Sequence, residues 1–257
     1  MNEGDNMLKP LAGRGAVITG ASRGLGRAMA TALAAEGATL VLAARDEAKL
    51  EETADACRRV GAPASTCVLD VTDEAAVEAF RSTVVEKFGG VHILINNAGI
   101  NIRKPIHEFT LEEWMRVVNT NLTSVFLMCR ALVPHMKGHG YGRIVNMTSI
   151  MSHVSLPGRT AYSSTKTALL GLTRALALEL APDNITVVGI SPGPFGTEMN
   201  TALMQNPELN AQFLSKIPLG RWGKVEEIGA LARFICSDEA GFITGTDILI
   251  DGGWCAQ

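Results

Sequence analysis

Short apolar runs alternate with longer amphipathic stretches along most of the chain. A run of about four to eight apolar residues between turn residues is typical of a buried strand. Apolar residues that recur every three or four positions indicate a helix packed on one side. These patterns predict seven strands, at residues 15–19, 39–43, 65–69, 91–95, 143–147, 185–190 and 247–250. They predict helices at residues 24–36, 46–60, 72–89, 110–137, 160–180 and 226–236.

Local signals mark the ends of several predicted helices. Gly37 and Gly61 follow the first two helices, and glycine commonly ends a helix. Thr72 is predicted to cap the third helix, and Thr110-Leu-Glu-Glu113 has the spacing of a capping box before the fourth. Because strands and helices alternate, we expect an α/β fold, doubly wound, with a seven-stranded parallel sheet and helices on both faces.

The chain shows no linker rich in Pro, Gly or Ser, so residues 11–257 are predicted to form a single domain. Residues 1–10 are polar and are expected to be a flexible N-terminal tail. Residues 191–225 carry four prolines and break the alternation of strands and helices. Because long irregular insertions in compact domains are often binding loops, this segment is predicted to be a substrate lid.

Composition narrows the class of protein. The 257 residues are 47% hydrophobic and 19% charged, which excludes a disordered chain and a coiled coil. The net charge of −3 argues against a nucleic-acid partner, since a phosphate backbone requires clustered cations. Five widely spaced cysteines without a C-x-x-C pair favour a reducing compartment, hence the cytoplasm. No apolar run reaches the roughly 20 residues of a membrane helix, and the histidine spacing predicts no metal site.

A glycine-rich turn follows the first predicted strand and opens the first predicted helix, with the sequence Thr19-Gly-Ala-Ser-Arg-Gly-Leu-Gly26. Such glycines permit a tight turn and a close backbone approach to a pyrophosphate, and the helix N-terminus offers free N–H groups to the anion. The turn therefore predicts a dinucleotide-binding site. Its candidate residues are Gly20, Ser22, Arg23, Gly24, Leu25 and Gly26.

Tyr162 and Lys166 lie four residues apart on a predicted helix and so share one face. A phenol has a pKa of about 10, which is too high for efficient proton transfer at neutral pH. A nearby ammonium and an oxidised nicotinamide would both favour the phenolate. Tyr162 is then suited to exchange a proton with an alcohol or alkoxide, and Ser149, at the end of the fifth strand, is suited to hold the substrate oxygen.

These motifs together resemble the short-chain dehydrogenase/reductase family, from Leu11 to Trp254. The turn spacing G-x-x-x-G-x-G, the Asn96-Asn-Ala-Gly99 segment, the Ser149 and Tyr-x-x-x-Lys set and Asp251-Gly-Gly253 are all similar to family motifs. The resemblance implies a Rossmann fold and hydride transfer between a nicotinamide cofactor and a secondary alcohol or ketone. The implied catalytic residues are Asn121, Ser149, Tyr162 and Lys166. Further implied cofactor contacts are Asp70, Val71, Asn97, Ala98, Gly99, Tyr162, Lys166, Pro192, Gly193 and Thr197.

The end of the second strand bears on the choice of cofactor. NAD-selective enzymes place an acid there to bind the ribose 2′-OH. Here that position is Ala44, and Arg45 follows it, with Arg23 as a second cation. Arginine is suited to a 2′-phosphate, so NADP(H) is favoured, although the nearby Asp46 leaves NAD(H) possible.

The substrate is less constrained by the sequence. The segments around Asn97–Pro105 and Ile217–Gly223 resemble gluconate 5-dehydrogenases, which favours a sugar acid or polyol. Candidate substrate residues are Arg103, Ser149, His153 and Glu198. Apolar residues around Ser149 would instead suit a hydrophobic ketone, and a 3-oxoacyl-carrier-protein reductase is a further alternative. A nucleotide-binding regulator without catalysis is the alternative from another class. The resemblance also implies a tetramer or a dimer, built on the helices that carry Asn121 and Tyr162, and a homotetramer is favoured.

Overall fold

The computed structural model describes residues 9–257, so residues 1–8 of the predicted tail lie outside it. The strands are β1 (Gly15–Thr19), β2 (Thr39–Ala44), β3 (Ala64–Val68), β4 (Ile93–Asn96), β5 (Gly142–Met147), β6 (Ile185–Pro192) and β7 (Asp247–Ile250). The helices are α1 (Gly24–Ala35), α2 (Glu47–Arg59), α3 (Glu74–Phe88), α4 (Leu111–Val118), α5 (Ser124–Leu132), α6 (Thr160–Leu180), α7 (Thr201–Gln205), α8 (Pro207–Leu214) and α9 (Val225–Ile235).

All seven strands join one parallel sheet in the order β3-β2-β1-β4-β5-β6-β7. The first three strands therefore extend the sheet outward from β1 to β3 on one side. The chain then returns to β4, next to β1, and the later strands extend the sheet on the other side. This reversal between β1 and β4 opens a crevice at the carboxyl ends of the strands, which is where ligands bind in open α/β sheets. The predicted doubly wound, seven-stranded Rossmann fold is confirmed.

Two apolar cores cover the two faces of the sheet. One core contains buried residues of α1, α2 and α9, including Met29, Leu50 and Ile228. The other contains buried residues of α3, α5 and α6, including Phe80 and Leu169. Because both faces are covered, the central strands are apolar on both sides, which explains why they appear in the sequence as continuous apolar runs.

Side-chain caps fix where several helices begin. The Asp46 carboxylate accepts a hydrogen bond from the N–H of Lys49 at 3.1 Å and caps α2. Thr110 forms the predicted capping box at the start of α4. The cap predicted at Thr72 is wrong, because Asp73 accepts from the N–H of Ala76 at 3.0 Å and begins α3.

The helix predicted over residues 110–137 is divided into α4, a π-helical segment and α5. The π segment, Asn119–Thr123, widens the helix by a turn closed over five residues rather than four. The α-helix then ends at Leu132 and continues as a 3₁₀ turn that contains Pro134, which has no N–H to extend the α-helical pattern. Asn121, a predicted catalytic residue, lies in this widened segment.

Leu111–His135 is also long and apolar enough, by length and composition alone, to cross a membrane. The sequence predicts no membrane helix here. Half of the most apolar stretch of this segment (50%) is buried inside the domain, as in core helices of soluble proteins.

The segment predicted to be an irregular lid at residues 191–225 is more ordered than expected. The strand β6 extends into it as far as Pro192, and α7 and α8 lie within it. Asn206 caps α8 with its side chain and Pro207 occupies the first helical turn, so the prolines that suggested irregular structure also suit a helix start. Near its two ends the segment is joined to itself, where Phe195 forms an isolated bridge with Gly223.

Candidate active site

A cavity of about 790 Å³ lies at the carboxyl ends of the strands. Every residue that the sequence assigned to cofactor binding lines this cavity. They are Gly20, Ser22, Arg23, Gly24, Leu25, Gly26, Arg45, Asp70, Val71, Asn97, Ala98, Gly99, Tyr162, Lys166, Pro192, Gly193 and Thr197. The residues come from the segments after five strands and from α6, and the parallel sheet brings them to one edge.

The glycine-rich turn is braced by the loop after β4. The side-chain amide of Asn97 donates to the backbone carbonyls of Thr19 and Gly20, at 3.0 Å each. A Cβ on Gly26 would lie 2.4 Å from the carbonyl oxygen of Gly20, so no larger residue fits there. Arg23, at the N-cap of α1, supplies no side-chain hydrogen bond to the helix. The first N–H groups of α1 therefore remain available to an anion, which fits the pyrophosphate of a dinucleotide.

Three cations surround the end of the cavity beside β2. Arg23 lies 3.8 Å and Lys49 lies 3.6 Å from the same carboxylate oxygen of Glu198, and Arg45 lies 3.9 Å from Asp70. All of these side chains are exposed, so the pairs are weak and exchangeable. Lys49 was not singled out in the sequence, because one lysine on a helix carries no motif.

Tyr162 and Lys166 lie on α6, as predicted, with the Lys166 Nζ 5.7 Å from the centre of the Tyr162 ring. The ammonium donates to the backbone carbonyl of Met147 at the end of β5. Because Lys166 is buried, its pKa is lowered to about 8. This desolvation leaves the amine with few competing contacts and directs it into the cavity.

Opposing effects act on the phenol of Tyr162. Burial raises its pKa and is the largest effect, whereas hydrogen bonding to Ser149 and the positive charges of Arg159 and Arg103 lower it. The Ser149 Oγ also accepts from the N–H of Met151 at 3.1 Å, which fixes the serine side chain at the start of a short 3₁₀ turn. The serine and the phenol are therefore close enough to bind one substrate oxygen together.

Asn121 is fully buried behind the catalytic pair rather than in the cavity lining. Its Oδ1 accepts from the N–H of Ile100 at 2.8 Å, and its Nδ2 donates to the Ile100 carbonyl at 2.9 Å and to Thr165 at 3.2 Å. A Cβ on Gly99 would lie 3.3 Å from the Asn121 Oδ1 and 3.6 Å from the Lys166 Nζ. Glycine at this position thus lets the asparagine and the lysine approach the same point.

Comparison with known proteins decides the family. The family model described as enoyl-(acyl carrier protein) reductase matches residues 20–255. Gluconate 5-dehydrogenase of Gluconobacter oxydans is 38% identical over 246 residues, which cover 96% of this chain and 96% of that enzyme. This chain belongs to the short-chain dehydrogenase/reductase family. It is an oxidoreductase that acts on alcohol or ketone groups, and the family binds a nicotinamide cofactor.

Other relatives of this dehydrogenase/reductase have different names. The 3-oxoacyl-[acyl-carrier-protein] reductase of Haemophilus influenzae is 36% identical over 241 residues, covering 94% of this chain and 98% of that protein. A candidate 2-deoxy-D-gluconate 3-dehydrogenase of Agrobacterium tumefaciens, solved with bound NADP, is 36% identical with a TM-score of 0.90. That likeness covers 98% of this chain and 100% of the solved one. The relatives establish the reaction type and leave the substrate open.

The residues proposed for substrate binding in this dehydrogenase/reductase are not brought together as a group. Ser149 and Glu198 line the cavity, but Glu198 contacts the cations near β2 rather than the catalytic residues. Arg103 is exposed beside the cavity and acts on Tyr162 through its charge. His153 binds Asp247 at 2.7 Å.

Sequence reasoning also missed Arg159. It occupies the N-cap position of α6 without a side-chain hydrogen bond to the helix, three residues before Tyr162, and this position could have drawn attention to it. Ile150 and Met151 pack against Ile217 and Trp254 in a small separate core. They therefore hold the serine turn against Ile217 and Trp254, whereas Met147, another apolar residue near Ser149, lines the cavity.

Proposed function

We propose that this chain is an NADP(H)-dependent oxidoreductase of a sugar acid, of the class of gluconate and 5-ketogluconate. The observation that carries the proposal is a pair of arginines beside the catalytic tyrosine. The positive charges of Arg103 and Arg159 both act on Tyr162. In the described part of the chain, the charged groups that act on Arg159 are Arg103 and Tyr162, with no carboxylate among them.

Backbone packing supports this pairing of cations. A Cβ on Gly158 would lie 3.6 Å from the backbone nitrogen of Lys104, so the loop before α6 contacts the loop after β4. Arg103 and Arg159 immediately flank this contact. Burial and the charge of Arg103 lower the pKa of Arg159 to about 10, which shows that the second guanidinium is held at an energetic cost. A substrate carboxylate would relieve that cost by binding both groups.

In the proposed reaction, bound NADPH would supply a hydride to the substrate carbon in reduction, and bound NADP+ would accept one from it in oxidation. Ser149 donates a hydrogen bond to the substrate oxygen, and Tyr162 gives that oxygen a proton in reduction or takes one from it in oxidation. The proposal assigns Lys166 to the ribose hydroxyls. It assigns Asn121, which bonds the backbone of Ile100, to support of the loop on which Gly99 lies.

The preference for NADP(H) is supported by the cations near β2. One oxygen of the Asp46 carboxylate caps α2 by accepting from the N–H of Lys49, and Asp46 also lines the cavity. Ala44 offers no acid at the end of β2. Arg45, Arg23 and Lys49 can instead bind a 2′-phosphate, with Glu198 and Asp70 as the weak partners that the phosphate replaces.

We further propose a cytoplasmic location, with a small-molecule substrate as partner. All five cysteines are free in the structure, and thiols persist in reducing compartments.

The test is a substrate panel of gluconate, 5-ketogluconate, uncharged ketones and acetoacetyl thioesters, each assayed with NADP(H) and NAD(H). We expect turnover of a sugar acid with NADP(H). Arg103→Gln and Arg159→Gln should each raise KM for the acid about tenfold or more and leave KM for an uncharged ketone unchanged, because each removes a charged hydrogen bond to the carboxylate.

Arg59→Gln is the matched control, because Arg59 is exposed at the far end of α2. It should change neither KM. Turnover of the thioesters alone would favour the acyl-carrier substrate and contradict the sugar-acid proposal. Turnover of no alcohol or ketone at all would favour a nucleotide-binding regulator.

A further inference from the structure

One buried carboxylate near the active site has no place in the mechanism described so far. Asp247 begins β7, and its side chain is only 8% exposed. Its Oδ1 accepts from the Thr148 hydroxyl at 2.5 Å, and its Oδ2 accepts from the Ser191 hydroxyl at 2.6 Å and binds the His153 Nε2 at 2.7 Å. We call Asp247, Thr148, Ser191 and His153 the Asp247 cluster.

The partners of this carboxylate come from the two segments that frame the reaction site. Thr148 directly precedes Ser149, and His153 ends the 3₁₀ turn that Ser149 begins. Ser191 directly precedes Pro192, at the end of β6, where the cofactor-lining segment starts. A single carboxylate thus connects the serine turn with the neighbouring strand end.

The neighbouring strand leaves room for this carboxylate. Gly189 of β6 pairs with Asp247 in the sheet, and a Cβ on the glycine would lie 2.1 Å from the Asp247 Oδ1. Thr148 and Ser191 are 2% and 0% exposed, so their hydroxyls face the carboxylate and not water. Because a buried carboxylate is costly unless it is fully hydrogen-bonded, three donors around one side chain make a rigid arrangement.

Besides the Asp247 cluster, two other polar contacts hold the ends of the serine turn: the N–H of Thr148 donates to the Ile190 carbonyl of β6 at 2.9 Å, and the Thr167 hydroxyl of α6 donates to the Ser152 carbonyl at 3.4 Å. Within the turn the backbone hydrogen bonds are local, from the N–H of Ser152 to the Ser149 carbonyl at 2.8 Å and from the N–H of His153 to the Ile150 carbonyl at 3.0 Å. Its apolar side packs on Ile217 and Trp254, which lie outside the strands of the sheet. The contact between His153 and Asp247 therefore sets the far end of the turn relative to β6 and β7.

We propose that Asp247 is a positioning residue for catalysis: through His153 and Thr148 it fixes the Ser149 turn relative to the Pro192 segment. The proposal rests on the proposed function, since Ser149 is there assigned to the substrate oxygen. An error of about 1 Å in such a position can cost as much as ~10²-fold in rate. Loss of the Asp247 cluster should accordingly lower kcat more than it weakens cofactor binding.

The first test compares Asp247→Ala with Asp247→Asn. The side-chain oxygen of an asparagine can still accept from His153 and Ser191, and its amide can donate to the Thr148 oxygen. The Thr148 hydroxyl can then donate to the Ile190 carbonyl, which lies 2.6 Å away. We expect alanine to lower kcat about tenfold or more and asparagine to retain it within about threefold, with the Kd for NADPH unchanged in both.

His153 provides a second pair of variants, because it is exposed and its replacement leaves the core intact. His153→Ala should lower kcat, and His153→Gln, which keeps a donor, should restore it. Asp238→Ala is the matched control. That carboxylate binds Arg14 at 2.9 and 3.0 Å, away from the active-site cavity, and its loss should lower stability without changing kcat.

A measurement without substrate separates this proposal from the proposed function. Amide hydrogen exchange at Ser152 and His153 should become faster in Asp247→Ala and stay unchanged in Asp238→Ala. The kcat ratios are taken with whichever alcohol or ketone the parent enzyme turns over, so a wrong sugar-acid assignment does not affect them. If Asp247→Ala lowers the melting temperature but leaves kcat and exchange as in Asp238→Ala, the Asp247 cluster is only structural and the proposal is overturned.

Discussion

At the scale of single residues, burial and nearby positive charges have opposite effects on the pKa of the catalytic tyrosine. Burial raises the pKa of Tyr162, and Arg159 and Arg103 work against it. Burial likewise lowers the pKa of Lys166 to about 8, so neither partner is in its ordinary ionisation range. Both shifts follow from placing a proton-exchanging pair in a site that excludes water.

The tyrosine itself can be tested with a matched pair of variants. Tyr162→Phe should abolish turnover and leave the Kd for NADPH within about twofold, because the phenol provides the proton and not the phosphate contacts. The only other tyrosine, Tyr141, is buried and donates to the Cys236 carbonyl. Tyr141→Phe should retain turnover and lose about 1 kcal/mol of stability. Unchanged turnover in Tyr162→Phe would contradict the assignment of Tyr162 as the proton donor.

The pH dependence has a definite sign. Oxidation requires the phenolate of Tyr162, and the charge of Arg159 favours the phenolate. Arg159→Gln removes that charge, so the pKa of Tyr162 should rise and the pH profile of kcat/KM for oxidation should move to higher pH. In reduction, which requires the phenol, activity should persist to higher pH.

This pH profile is best measured with an uncharged secondary alcohol. Such a substrate has no carboxylate for Arg159 to bind, so kcat/KM then reflects only the effect of the Arg159 charge on Tyr162. Arg59→Gln should leave the profile in place. A shift to lower pH in Arg159→Gln would contradict the role given to its charge.

At the scale of elements, the sequence predicted the features that depend on local chemistry. Apolar runs located all seven strands, and Thr110 with Glu113 located the start of α4. The cap of α3 was misplaced by one residue because threonine and aspartate both cap helices, and only the structure shows that Asp73 does so. The π-helical segment was missed because its apolar pattern resembles that of an α-helix.

The same distinction applies to the site. The glycine turn and the Tyr162–Lys166 pair are local in sequence, so their spacing was sufficient to predict them. The contact between Thr148 and Asp247 joins residues 99 positions apart, so no local sequence pattern predicts it. His153 was singled out for its position near Ser149, but its partner depends on how β7 pairs with β6.

At the scale of the whole molecule, one face of α6 is left uncovered in the single chain. Exposed residues recur on this face every three or four positions, at Ser164, Ala168, Gly171, Ala175 and Leu178, and all but the last are small. Thr167, Arg174 and Glu179 of α6 are exposed as well. Leu178 is 80% exposed, and Phe126 on the adjacent α5 is 49% exposed. Small side chains at helical spacing allow a second helix to approach closely, which supports the proposed homotetramer.

Light scattering should therefore give about four times the chain mass of 27.3 kDa. Leu178→Glu should lower that mass, because it places a charge in the proposed interface. Val60→Glu is the control, since Val60 is 44% exposed but follows α2 on the opposite face of the sheet. A monomer at all concentrations would contradict the assembly.

The edge position of β7 gives the Asp247 cluster a consequence for folding. A strand at the end of the order β3-β2-β1-β4-β5-β6-β7 has one neighbour, and β7 can dock only after β6 is in place. The residues that line the cofactor cleft come from segments that precede β7 in the chain, so a folding intermediate without this strand already has its cleft. In such an intermediate, Asp247 would not yet hold the turn that carries Ser149. Recovery of cofactor binding during refolding should then come before recovery of turnover, and the interval between them reports the docking of the last strand.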